Sequence, residues 1–328
     1  MAGPLSVPGR LPSERVDATK SPRNLGARSV RLIRTLWVLT VHEFRSAVLS
    51  VRFVALWILV AIALLPLAYA LSAAAVPAPP PGSPLWVRGG DGALAALAFA
   101  FIPLFLPDLP VAVATRADMM ERKDGFLEVA LTRSRPRWAI ALGRYLGHLA
   151  AVSVAAIVVL LAAIGLIDGK TPGSLSLALI AATIVGVLIL MALWLGLTLI
   201  LMTFLTPGQT RLVALLIWVL FHAIRPTALI LGGQFLSIVP IRGPEVFRAG
   251  VGDLFSFTGL YQGYLAPFVP DSLAFAPRSD IFASVWDSLA YVGIPAASVV
   301  LAVALVVMHV GLVQDAPLGR RIFSRGAE

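Results

Sequence analysis

The chain has 328 residues, of which 59% are hydrophobic and 13% charged, with mean hydropathy +0.90 and a formal net charge of +9. A soluble globular domain is about 45–50% apolar, so this composition excludes an ordinary soluble protein and points to an integral membrane protein. There is no cysteine, which excludes disulfides, thiolate catalysis and cysteine-based metal sites.

Residues 1–30 are rich in Pro, Gly, Ser and Arg and lack the apolar run of a signal peptide, so a disordered cytoplasmic tail is expected there. Residues 31–50, RLIRTLWVLTVHEFRSAVLS, follow helical periodicity. Ile33, Leu36, Trp37, Val41, Phe44 and Val48 fall on one arc, and Arg31, Arg34, Thr35, His42, Arg45 and Ser46 on the other. Trp37 and Phe44 on the apolar side and Arg45 on the polar side suit a helix lying at the headgroup level of an anionic leaflet. The plainer alternative is an amphipathic helix of a small soluble domain, but no other soluble core is present for it to pack on.

Six apolar runs approach or exceed the roughly 20 residues that cross about 30 Å of hydrocarbon as helix. They lie near 53–76, 93–115, 141–167, 174–205, 211–231 and 287–312. The fold class expected is an all-α polytopic bundle, residues 51–315, with a cytoplasmic tail at 316–328. The second run is interrupted by Pro103, Pro107, Asp108 and Pro110, so five spans and a re-entrant segment is the alternative count.

Between the second and third runs lies RADMMERKDGFLEVALTRSRPRWAIALGRYLG, with seven Lys/Arg and four acids. With the N-terminus inside and six alternating spans, 20 of the 26 Lys/Arg fall on the inner face. The positive-inside bias therefore places both termini in the cytoplasm and removes the need for nucleic acid as a partner. A short helix near Arg116–Asp124, ended by Gly125, would lie across that inner face. It could dock in a groove of a soluble protein; a solvated loop is the alternative.

The outer connector at 77–92 is too proline-rich for regular structure, and DGKTPG at 168–173 lacks the glycine spacing and preceding strand of a phosphate loop. No other glycine-rich nucleotide loop exists, so any ATP would be bound by another subunit. Residues 232–286 form a long outer segment, apolar again at FSFTGLYQGYLAPFV. Short helices dipping toward the membrane are expected there, either capping the bundle or meeting an outer-face protein.

His42, His148, His222 and His309 have no ligand spacing, and no GxSxG elbow is present, so neither a metal site nor a catalytic residue is assigned. Asp108 and Arg225 are ionisable residues inside apolar runs. They could line a pathway or gate, or be satisfied locally, Arg225 by snorkelling and Asp108 by backbone freed by the prolines.

The stretch ERKDGFLEVALTRSRPRWAIALGRYLG resembles the signature of ABC transporter permeases of the type-2 exporter class, ER-x-x-G-T-L-E, a Pro-x-x-Arg turn, then L-G-K-x-L-G. Glu121, Arg122, Gly125, Leu127, Glu128, Arg137, Leu142, Gly143, Leu146 and Gly147 match, whereas Phe126, Ser134 and Arg144 depart from it. The likeness runs over nearly the whole chain and is strongest to NosY-like permeases, whose outer motif resembles Pro244, Glu245, Phe247 and Arg248. The resemblance implies a permease subunit that binds no cofactor itself, pairs with a second permease subunit, and engages a separate ATPase through the elbow helix and the inner segment 116–138. It would place Glu121, Arg122, Gly125 and Glu128 at the ATPase-coupling site. The alternatives from the residues alone are a membrane-embedded enzyme or assembly factor acting without ATP, and a secondary transporter, whose inverted repeats are not evident.

Overall fold

The computed structural model describes residues 23–74, 89–124, 137–220, 257–265, 268 and 293–314. Every regular element among them is helical. Helix α1 (Arg23–Val48) leads into α2 (Val51–Ala74), the two separated by a break at which the Ser50 hydroxyl caps the Phe53 N–H at 3.2 Å. Helix α1 starts eight residues before the elbow helix expected at 31–50, so residues 23–30 are helix where a tail was expected.

The second apolar run is continuous as a path but not as a single α-helix. It comprises α3 (Gly89–Ala96), a π-helical turn (Leu97–Phe101), α4 (Ile102–Phe105) and α5 (Asp108–Asp124). The prolines explain the irregularity. Pro103 has no N–H for the carbonyl four residues back, and just ahead of it the ladder widens so that Ile102 N–H bonds Leu97 O. Pro107 lies in the turn between α4 and α5, and Pro110 sits in the first turn of α5, where a missing N–H costs little. The short helix expected at Arg116–Asp124 is not a separate element: α5 carries on through it without a break.

Helices α6 (Arg137–Lys170) and α7 (Leu177–Phe204) form the spine, followed by α8 (Pro207–Leu220), α9 (Phe257–Leu265) and α10 (Ile294–Gln314). Helix α6 packs against α1, α2 and α7, while α7 packs against α5, α9 and α10. Trp57 Nε1 of α2 donates to Ala155 O of α6 at 2.9 Å, and Tyr145 Oη of α6 donates to Ala192 O of α7 at 3.2 Å.

Among the described residues four helical stretches are long and apolar enough to cross a membrane: Val51–Ala73, Gly90–Arg116, Trp138–Lys170 and Leu177–Phe204. Pro207–Leu220 and Pro295–Val310 are shorter apolar helices among the described residues. This is an all-helical architecture with the composition of a multi-pass membrane protein, and its large exposed side chains, such as Ile58, Leu59, Ile62, Leu161 and Val303, are those that lipid would cover.

One end of the bundle is knit by hydrogen bonds around Asp91. Its carboxylate accepts from Ser176 N at 2.7 Å, Gly90 N donates to Ser174 Oγ at 2.7 Å, and Asp91 N donates to Ser174 O at 3.2 Å. The start of α3 is thereby tied to the α6–α7 turn, where Gly173 takes φ +70°, a conformation that suits glycine. Lys170 Nζ completes this end, 4.8 Å from the centre of the Tyr69 ring of α2.

Helix α9 lies within the long segment 232–286 and is not a surface cover. Tyr261 is fully buried, and its ring occupies the space a Cβ on Gly186 of α7 would need, with 2.9 Å to the nearest ring atom. At the first residue of α9, Phe257 meets Trp194 edge-on at 5.7 Å between ring centres. Residues 186 and 194 lie nine and seventeen residues from the start of α7, so α9 reaches roughly 13–25 Å along it at about 1.5 Å per residue. The one part of this segment that forms a described helix thus packs along α7 within the bundle.

Candidate functional site

Two polar features interrupt the apolar packing. The first is the seam between α1 and α6. Helix α1 has three faces: Leu39, Glu43 and Ala47 are buried, Ile33 and Trp37 are exposed, and Arg34, Arg45 and Ser46 form the exposed polar side. The buried stripe has helical spacing and docks on α6. Gly143 and Gly147, four residues apart on α6, make the approach close. A Cβ on Gly147 would lie 2.5 Å from Glu43 Cβ and 2.7 Å from Thr40 O, and one on Gly143 would lie 2.8 Å from Leu39 Cβ.

At the centre of the seam Glu43 Oε2 lies 3.3 Å from His148 Nε2, with both side chains almost wholly buried. Burial alone would raise the Glu43 carboxyl pKa. The hydrogen bond and charge of His148, with the nearby positive charges of Arg144 and His42, outweigh burial and hold it below the ordinary glutamate value. A buried polar pair of this kind contributes little as a pair but is costly to halve.

The second feature is a cavity of about 290 Å³ bounded by α2, α5, α7 and α8. Leu56, Val111, Leu215, Trp194 and Trp218 supply apolar wall, and Asp108 and Arg211 supply charge. Arg211 is fixed in place: its Nε donates to Thr115 Oγ1 at 2.9 Å, and that hydroxyl donates to Val111 O at 2.7 Å. Asp108 opens α5, an orientation the helix dipole favours for a carboxylate, and accepts no hydrogen bond among the described residues. The expectation that backbone freed by the prolines satisfies Asp108 is therefore not met among them.

The remaining residues singled out in the sequence fall as follows. Trp37 is 68% exposed and Arg45 is exposed, whereas Phe44 packs against the main core, so the expected apolar arc is shared between solvent-exposed and bundle-facing positions. Glu121 and Arg122 lie in the last turn of α5. Gly125, Glu128 and Arg225 lie outside the described residues, as does the outer motif Pro244–Arg248. Among the described residues no group of three His, Asp or Glu is placed to hold a metal ion.

Glu43, Thr115, Trp194 and Arg211 were not singled out from the sequence. Their partners are distant in the chain, and the one available signal was the paired glycines of GRYLG, which at helical spacing mark a close helix contact.

Fold and composition together define an all-helical chain with several helices suited to a membrane. Compared with known proteins, the chain matches no family model and no curated protein.

Proposed function

We propose that this chain is the membrane-spanning permease subunit of an ABC transporter, coupling ATP hydrolysis in a separate subunit to export or to force transmission across the membrane. The observation that supports this reading best is the unbroken course of α5. It runs from Asp108 at the cavity to Asp124, carrying Glu121 and Arg122 of the ERKDG motif at its far end. Its 17 residues make a rod about 25 Å long at 1.5 Å per residue. A displacement imposed at Glu121 and Arg122 would reach the cavity wall as a rigid-body movement, which is what a two-state coupling needs.

Helix α6 fits the same scheme. Its 34 residues exceed the roughly 20 that hydrocarbon requires. The surplus at the Arg137 end coincides with the seam to α1, which is consistent with α1 lying at headgroup level, its exposed Ile33 and Trp37 toward lipid and Arg45 toward phosphates. In this reading α8 and α10 complete six spans, both termini are cytoplasmic, and two permease subunits form the pathway in a prokaryotic cytoplasmic membrane. Glu121, Arg122, Gly125 and Glu128 form the transmission site.

The test is purification of the tagged chain from its native membrane. An ATPase should accompany the wild-type chain, and Glu121→Arg with Arg122→Glu together should release it while the permease stays folded and monodisperse in detergent. Equal ATPase recovery with both forms would refute the transmission site, and absence of any ATPase from the wild-type preparation would refute the class.

A further inference from the structure

We propose that the Asp108 cavity binds the headgroup of a zwitterionic lipid, one that carries an ammonium and a phosphate, with Asp108 taking the ammonium and Arg211 the phosphate. The argument begins with the charges. A carboxylate and a guanidinium line the same cavity, and among the described residues no ion pair joins them, so each keeps its own capacity for a ligand. A purely anionic ligand would satisfy Arg211 and face Asp108 with like charge. A purely cationic one would do the reverse, and only a ligand with both charges complements both walls.

The geometry of each group suits its half of the ligand. Arg211 uses Nε on Thr115, which itself is tied to Val111 O, so the two terminal nitrogens are held in a fixed fork. A planar fork of this kind matches two phosphate oxygens. Asp108 shares its cavity with the half-buried Trp218, and a carboxylate and an indole lining one cavity are a favourable surrounding for an ammonium.

Size and exposure select a lipid over a soluble zwitterion. About 290 Å³ corresponds to roughly ten waters at about 30 Å³ each, enough for a headgroup of similar atom count but not for acyl chains. The chains have somewhere to lie. Leu215 walls the cavity and also belongs to the exposed apolar row Leu212, Leu215, Leu216 and Val219 along α8. The cavity wall is thus continuous with a flank on which hydrocarbon would rest.

The test uses the purified full chain in detergent, without an ATPase, so that its failure is separate from failure of the permease reading. The chain is equilibrated with equal phosphatidylethanolamine and phosphatidylglycerol, and retained lipid is measured by native mass spectrometry. Phosphatidylethanolamine should be retained at least fivefold over phosphatidylglycerol. Asp108→Asn should abolish that preference, Arg211→Gln should lower retention of both lipids at least fivefold, and Ala112→Phe, which fills the cavity while leaving both charges, should abolish retention. Free phosphoethanolamine at millimolar concentration should not displace the lipid. Equal retention of the two lipids, retention unchanged by Asp108→Asn or by Ala112→Phe, or displacement by free phosphoethanolamine would each overturn the proposal.

Discussion

The seam between α1 and α6 and the cavity between α5 and α8 both place an acidic side chain among apolar neighbours, and they treat it oppositely. Glu43 is closed in, paired with His148 and pressed against Gly147. Asp108 faces open space with no partner among the described residues. The first arrangement fixes two helices in one relation, because any change leaves a buried polar group without its partner. The second leaves a charge free to meet something that arrives. A buried acid with a dedicated partner reads as structure, and an exposed one beside a cavity reads as a place for a ligand.

Substitutions should separate the two regions by size of effect. The largest is expected at Gly147, where a side chain has no room: Gly147→Leu should destabilise by about 3 kcal/mol or more, at the upper end of overpacking costs. Thermal unfolding in detergent would read this, with Gly165→Ala as control. Nothing lies within 4 Å of a Cβ at Gly165, so that change should be neutral or stabilising by up to about 1 kcal/mol. Equal losses at both glycines would remove the close seam from the account.

Halving the polar pair comes next. Glu43→Ala should cost about 2–4 kcal/mol, whereas Glu43→Leu with His148→Phe should lie within about 1 kcal/mol of wild type. A double variant as unstable as the single one would show that the pair contributes more than its desolvation cost. Because the folded glutamate pKa lies below its ordinary value of 4.5, the stability Glu43 adds is fully present above that pH. It is lost as the pH falls through the lowered folded value. Melting temperatures followed from pH 7 to pH 3.5 should therefore decline more steeply for wild type than for Glu43→Gln. The smallest effect is expected at the cavity, where Asp108→Asn should change stability by less than about 1 kcal/mol, since its carboxylate has no partner to lose.

The sequence is informative about these regions to different degrees. The four long apolar helices fall where hydropathy and length put the first four runs, because a bilayer imposes about 20 apolar residues whatever the partners. The break at Pro103 and Pro107 was also readable, since the missing N–H groups act locally. The docking face of α1 was not. Leu39, Glu43 and Ala47 follow helical spacing, but a glutamate in such a stripe reads as polar face until His148, 105 residues further on, is brought against it. The same holds for Arg211 and Thr115, 96 residues apart, and for Phe257 on Trp194. Asp108 was visible as a charge inside an apolar run, but its cavity required α2, α7 and α8 to be in place. The GRYLG glycines stood out as a motif, and what the motif does here, admitting α1, came only with the packing.

The central claim is that α5 carries movement between an ATPase docked at Glu121 and Arg122 and the cavity at Asp108. It is tested most directly by breaking the rod between its ends. With the ATPase co-purified and reconstituted in liposomes, Ala117→Pro should leave the ATPase bound but remove the permease's effect on its hydrolysis rate, because proline interrupts the helix between Arg116 and Asp118. An Ala117→Pro complex whose hydrolysis responds as the wild type does would contradict the claim.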